Sequence, residues 1–118
     1  MKLVIVGTGY VGLVSGACFA EFGYETVCVD KDEFRVNELR KKKCPFFEPG
    51  MDELLSKHCD NTKLLTFTTS LSEAMQNADI IFITVGTPSN KLEDDADLSA
   101  VWQVANEIAN NIDKYCLV

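Results

Sequence analysis

Apolar and polar positions along this chain switch between two periods, and the switches mark its elements. Residues 2–6 are apolar from Leu3 onward, β-branched at Val4, Ile5 and Val6, and stop at Gly7, which predicts a strand buried on both faces. Residues 10–22 follow at helical length, with Tyr10, Val11, Leu13, Val14, Ala17, Cys18 and Ala20 apolar nearly all round, so this helix is expected to be buried. Gly16 lets it approach the sheet closely, and Gly23 is a natural C-terminal stop. Glu25 to Asp30 reads as a second strand, and Asp32 as the cap of a helix running to about Lys42.

Two prolines then interrupt the pattern in Cys44-Pro45-Phe46-Phe47-Glu48-Pro49-Gly50. A short helix is expected from Met51 to His58, and a third strand from Leu64 to Thr68. Ser70 and Glu73 have capping-box spacing and open another helix. Asp79 to Val85 reads as a fourth strand, apolar on both faces, followed by a long loop from about Gly86 to Asp97. Leu98, Val101, Trp102, Ala105, Ile108 and Ile112 recur at helical spacing and predict one buried face. Cys116-Leu117-Val118 reads as the start of a fifth strand. Strand and helix alternate throughout, so the expected class is α/β: a Rossmann-type doubly wound parallel sheet, truncated in or after the fifth strand, in one domain over residues 1–118. A stunted fifth strand is expected to leave apolar surface uncovered, with weak self-association or modest stability.

Composition narrows the partners. With 47% apolar residues the chain can build one core, and a net charge of -7 argues against a nucleic-acid partner. The basic run Arg40 to Lys43 reads as a solvated helix end rather than a phosphate or lipid patch. No stretch approaches the roughly 18 apolar residues needed to cross a bilayer, and Leu3 to Val6 is too short for a signal-peptide core, so the expected location is cytoplasmic. Five cysteines without paired spacing argue against a disulfide scaffold; Cys18 and Cys28 read as reduced core residues. His58 and Cys59 could share a metal, but a surface helix end is the plainer reading, and no metal site is expected.

Candidate chemistry concentrates in the first thirty residues. Gly7-Thr8-Gly9-Tyr10-Val11-Gly12 fits G-x-G-x-x-G, a pattern that is weak alone but here lies between a buried strand and a helix. Gly7 permits the tight turn, Gly9 lets a pyrophosphate approach the backbone, and Gly12 allows close packing of helix on strand. The helix N-terminus then offers free N–H groups to the phosphates. Asp30 lies 18 positions after Gly12, where a carboxylate accepts the ribose hydroxyls and repels an extra 2′-phosphate, which favours NAD over NADP. Lys31 and Arg35 could tolerate that phosphate and keep NADP open.

Val85-Gly86-Thr87-Pro88 follows the fourth strand, where a small, kinked segment could pass the nicotinamide half and the Thr87 hydroxyl could hydrogen-bond; an ordinary turn is the alternative. On physical grounds Glu48-Pro49-Gly50 reads as a helix start. The acidic run Glu93-Asp94-Asp95 lacks calcium-loop spacing and reads as a solvated loop, with Asp97 a helix cap.

Together these segments resemble one family, the nucleotide-sugar dehydrogenases of the UDP-glucose and GDP-mannose 6-dehydrogenase type. Gly7 to Leu13 resembles their G-x-G-Y-V-G-L; Val29-Asp30 with Arg35 resembles their V-D followed by a basic residue; Pro45 to Met51 is similar to P-I-Y-E-P-G-L. Val85 to Pro88 resembles V-G-T-P, and Ala96 to Ser99 resembles A-D-L-S. Order and spacing match over essentially the whole chain.

The resemblance implies NAD contacts from Val11, Asp30, Arg35 and Thr87, with Tyr10 near the pyrophosphate or the sugar. It implies a nucleotide-sugar substrate, UDP-glucose ahead of GDP-mannose, and a homo-oligomer at full length. It also implies a two-step oxidation of the sugar C6 alcohol to a carboxylate through a cysteine-bound thioester, reducing two NAD. The family's catalytic cysteine lies in a glycine-cysteine-lysine-aspartate segment that this chain does not contain, nor does it contain the family's S-T-V-P-V-G-T segment. No catalytic residue is therefore assigned here, and the chain alone is expected not to turn over substrate. The competing readings are a non-catalytic dinucleotide-binding module or remnant, and a hydroxyacyl-CoA or malate-type dehydrogenase, which would lack the E-P-G and V-G-T-P combination.

Overall fold

Strand β1 (Lys2–Val6) lies at the centre of the sheet, with β2 (Glu25–Val29) on one side and β4 (Ile80–Ile83) on the other. The computed structural model describes residues 1–90 and 95–118. Strand β3 (Leu65–Thr68) pairs with β2, giving the order β3-β2-β1-β4 with every pairing parallel. This is the Rossmann-type doubly wound sheet that the alternation of elements predicts.

The register explains why the strand sequences are apolar on both faces. Ile5 stands opposite Cys28 and Phe82, and Cys28 stands opposite Phe67, so these share one face. Helices α1 (Tyr10–Glu21), α2 (Glu33–Arg40) and α3 (Met51–Ser56) contribute Leu13, Ala17, Val36, Leu39 and Leu55 to the core built on Ile5. Val4, Val27 and Ile81 point to the other face, where α4 (Leu71–Met75) and α5 (Ser99–Asn111) contribute Leu71, Ala74 and Ile108. Each fully buried Ile or Leu here stabilises the fold by about 1.5–3 kcal/mol.

Local signals hold where the sequence carries a mechanism. Asp32 caps α2, its Oδ1 accepting from the Arg35 amide at 3.1 Å, and the Ser70 hydroxyl accepts from the Glu73 amide at 3.3 Å. At Gly16 an added Cβ would sit 2.5 Å from the Cys28 sulfur, so α1 rides directly on β2. After β4 the chain forms a small antiparallel pair, β5 (Ser89–Asn90) with β6 (Asp95–Ala96), inside the stretch expected to be loop. Glu93 and Asp94 of the acidic run lie outside the described residues. Leu117 makes a single parallel bridge to Ile80, taking up the fifth-strand position beside β4.

Several expectations need correction. Helix α1 is not buried all round: Gly12, Leu13, Gly16, Ala17 and Ala20 face the sheet, while Tyr10 and Val11, and Phe22 just past its end, are exposed. The small residues make the close contact, Leu13 fills the core beside them, and Tyr10 and Val11 point away. Helix α5 buries only Ile108 fully, with Val104 packed beside it, and Trp102 is 65% exposed. The helix leans on α4 at the sheet edge, so the side facing the core is narrower than its apolar spacing suggests.

His58 is not on a surface helix end either. It lies in a π-helical turn (Lys57–Asn61) and is 2% exposed. Its Nε2 is 2.6 Å from Glu21 Oε2 and its Nδ1 is 3.0 Å from the Thr62 hydroxyl, so partners on both sides make burial tolerable. Cys28 is buried and its thiol is pushed up to about 12 by that burial, whereas Cys18 is only half-buried. The basic run is taken up by local partners: Arg40 Nε donates to the Phe67 carbonyl, Lys41 and Lys43 reach Glu38, and Lys42 reaches Asp60. Among the described residues no helix is long and apolar enough to cross a membrane, and no group of three metal-ligating side chains comes together.

Candidate functional site

The order of strands reverses at β1: β2 and β3 lie to one side, β4 to the other. In sheets of this kind the crevice beyond the strand C-termini at that point receives ligands. A cleft of about 670 Å³ opens there. Its floor is the turn from β1 into α1, and its walls come from the ends of β2 and β4 and from α5.

The three glycines of the turn have distinct environments. Gly7 has φ +106°, and an added Cβ would lie 2.8 Å from the Thr84 carbonyl oxygen, so both conformation and space require glycine. At Gly12 an added Cβ would sit 1.9 Å from the Gly7 carbonyl oxygen. At Gly9 nothing lies within 4 Å of that position, and the backbone faces open space. No side chain caps the N-terminus of α1 and its first turn holds no acidic residue. The amides and positive dipole end of that helix are therefore free to meet an anion.

Asp30 follows β2 and is held across the cleft floor. Its Oδ2 accepts from the Thr8 amide at 3.0 Å and from the Thr8 hydroxyl at 2.6 Å, and its Oδ1 accepts from the Asp32 amide at 3.0 Å. Arg35 Nη1 stands 3.5 Å from Oδ2. Burial by itself would raise the carboxyl, but the hydrogen bonds from the Thr8 hydroxyl, the Asp32 amide and the Thr8 amide, together with Arg35, outweigh it and hold Asp30 below the usual carboxylate value. A fixed, ionised acceptor thus stands beside an anion-binding helix end, an arrangement suited to a ribose next to a diphosphate.

Of the residues singled out from the sequence, Gly7, Gly9, Val11, Asp30, Arg35, Val85, Gly86 and Thr87 all line this cleft, as does Lys31. Gly12 lies buried under the turn. The Tyr10 ring stacks on Phe46 at a centroid distance of 3.9 Å, outside the cleft lining, and Pro88 also lies outside it, its carbonyl accepting from the Asp97 amide at 2.8 Å.

The sequence reading missed Thr8 and Thr84. The Thr84 hydroxyl lies 2.9 Å from the Val6 carbonyl oxygen and 3.1 Å from that of Gly7, tying the end of β4 to the glycine turn. Gln103, Val104 and Glu107 of α5 were missed as lining residues, since their place depends on how α5 packs. Met51 N donates to the Glu48 carbonyl at 3.1 Å and Gly50, at φ +84°, caps α3, so Glu48-Pro49-Gly50 is a helix start.

All of residues 1–118 match the NAD binding domain of the UDP-glucose/GDP-mannose dehydrogenase family. This chain belongs to that family, as its NAD-binding domain. It is 48% identical to UDP-glucose 6-dehydrogenase of Rhizobium meliloti (strain 1021), covering 100% of this chain and 27% of that protein. It is 43% identical to UDP-glucose 6-dehydrogenase of Pseudomonas aeruginosa, covering 100% of this chain and 26% of the relative. Among solved structures it is similar to GDP-mannose dehydrogenase of Pseudomonas aeruginosa, with TM-score 0.86 and 37% identity over 92% of this chain and 24% of that one. UDP-glucose dehydrogenase of Pyrobaculum islandicum superposes with TM-score 0.87 and 34% identity over 93% of this chain and 25% of that one. The NAD-binding domain thus spans about a quarter of the length of these relatives. Its uncapped helix end, open backbone at Gly9 and fixed carboxylate at Asp30 fit the cofactor named by the family.

Proposed function

We propose that this domain holds NAD with the diphosphate on the α1 N-terminus, over Gly7, Gly9, Val11 and Gly12, and the adenosine ribose at Asp30. Arg35 covers the ribose side, and Val85, Gly86 and Thr87 flank the nicotinamide half. The observation that carries this reading is the pairing of an uncapped helix N-terminus with a half-buried, ionised Asp30 in one cleft. NAD supplies the hydride acceptor; the domain binds it and orients it.

The protein containing this domain is, on this reading, a UDP-glucose 6-dehydrogenase that oxidises UDP-glucose to UDP-glucuronate with reduction of two NAD. The 48% identity to a relative of that name supports UDP-glucose over GDP-mannose. It acts on a small nucleotide sugar in the cytoplasm, as a homo-oligomer, and binds neither nucleic acid nor membrane. Residues 1–118 form one domain that binds cofactor without turning over sugar, because none of the five cysteines lines the cleft. That observation also supports the second reading, a dinucleotide-binding module without catalysis of its own.

Titration of the chain with NAD⁺, followed by amide chemical shifts, tests the cofactor reading: residues 7–12 and 30 shift. Unmoved amides in a folded chain would refute it. Assay of NADH formation with UDP-glucose tests the rest, with no turnover by this chain and turnover by a protein of the relatives' length.

A further inference from the structure

Asp30 has two carboxylate oxygens, and about four lone-pair positions for hydrogen bonds. Three are filled within the chain. Thr8 fills two on Oδ2 with its amide and hydroxyl, and the Asp32 amide fills one on Oδ1. Oδ1 therefore keeps a spare acceptor position, while Oδ2, already filled by Thr8, has beyond it only the long contact to Arg35 at 3.5 Å. The donors differ in their freedom. Arg35 has a side chain 40% exposed and can turn to water, whereas Thr8 is fully buried and, among the described residues, has no other partner for its hydroxyl.

We propose that Thr8 is a positioning residue for Asp30: its hydroxyl and amide lock one carboxylate oxygen and present the other to a ribose hydroxyl of the bound dinucleotide. This rests on the reading of the cleft as the NAD site. Thr8 occupies the variable position between Gly7 and Gly9, so the same short turn that offers backbone to the diphosphate also sets the carboxylate that meets the sugar. The carboxylate cannot rotate away to accept a 2′-phosphate without stripping a buried hydroxyl of its partner. Thr8 thereby contributes to the choice of NAD over NADP.

The test is calorimetric titration of the chain and of Thr8→Val and Thr8→Ser with NAD⁺, NADP⁺ and 2′,3′-dideoxy-ADP, which carries the diphosphate but no ribose hydroxyls. Loss of a hydrogen bond to a charged group predicts that T8V weakens NAD⁺ by roughly tenfold or more and narrows the preference over NADP⁺. Dideoxy-ADP binding should stay within about twofold in T8V, and T8S should stay within about threefold of wild type for every ligand. Equal binding of NAD⁺ by T8V and wild type overturns the proposal. So does a parallel loss of NAD⁺ and dideoxy-ADP, which marks a purely structural role. A wild-type chain that binds none of the three refutes the cofactor reading itself. Should T8V not fold, proton NMR of the wild type decides: with NAD⁺ bound, the Thr8 hydroxyl proton stays protected from exchange, and rapid exchange with water overturns the proposal.

Discussion

Glu21 and His58, 37 positions apart, share a contact of 2.6 Å that fastens the end of α1 to the π-helical turn. Lys57 donates to both oxygens of the same carboxylate at 2.8 Å. Two groups from the π-helical turn thus meet at one carboxylate of α1, and the imidazole among them is buried. Partners on two sides let that ring stay in the core, which explains a polar residue where the sequence suggests only surface.

Removing the ring should be costly. His58→Ala leaves a cavity under the turn and deprives Glu21 and Thr62 of a partner, so it should destabilise the chain by about 2–4 kcal/mol in urea unfolding. Glu21 itself sets a pH dependence. The Lys57 hydrogen bond first, then that of His58, lowers its carboxyl from the usual 4.5. A depressed folded value means that the contribution is present above 4.5 and fades as pH falls through the lower folded value. Glu21→Gln should therefore lose stability mainly above 4.5 and flatten the acid limb of the stability curve. An unchanged acid limb in that variant would contradict the assignment.

The glycines of the first turn separate folding from binding. Gly12→Ala forces a methyl to 1.9 Å from the Gly7 carbonyl oxygen, a clash of backbone against backbone that no rotamer relieves. It should cost at least about 3 kcal/mol, or prevent folding. Gly9→Ala meets nothing within 4 Å and should melt within a few degrees of wild type. Its methyl projects where the diphosphate is proposed to lie, so NAD⁺ affinity should fall by roughly tenfold or more. Thermal melts and titration on both variants check the pair: a G9A that binds as well as wild type would remove the diphosphate from that spot.

What the sequence makes legible is what short-range chemistry decides. The apolar run ending at Gly7 marks β1, Asp32 and Ser70 mark helix starts, and the glycine spacing with Asp30 marks the cleft. Contacts between distant segments are another matter. Nothing in the spelling of residues 7–12 indicates that the Thr8 side chain turns to Asp30, because that depends on β1 and β2 pairing with Val6 opposite Val29. Tyr10 stacks on Phe46 through a proline-broken segment whose path no periodicity encodes. Trp102 and Ile108 both belong to the apolar stripe of α5 but lie about 120° apart on the helical wheel, and only Ile108 is buried, because α4 covers one narrow strip of α5.

The proposed role of Asp30 is to select the cofactor by charge and by shape. Its carboxylate stands where the ribose is proposed to lie, and Lys31 and Arg35 line the same cleft. On that reading a 2′-phosphate meets the negative charge of the carboxylate before it meets either cation. Asp30→Ala removes the acceptor and the repulsion together. NAD⁺ affinity should fall roughly 10- to 100-fold, the usual effect of losing a hydrogen bond to a charged group. NADP⁺ should lose little, because relief of repulsion and the nearby guanidinium compensate. Adding Arg35→Ala to Asp30→Ala should then weaken NADP⁺ selectively, since the remaining cation, Lys31, offers only a point charge. Titration of the single and double variants with both dinucleotides checks this. Equal losses for NAD⁺ and NADP⁺ in Asp30→Ala would mean that the carboxylate serves the turn alone, holding Thr8 in place, and not the sugar.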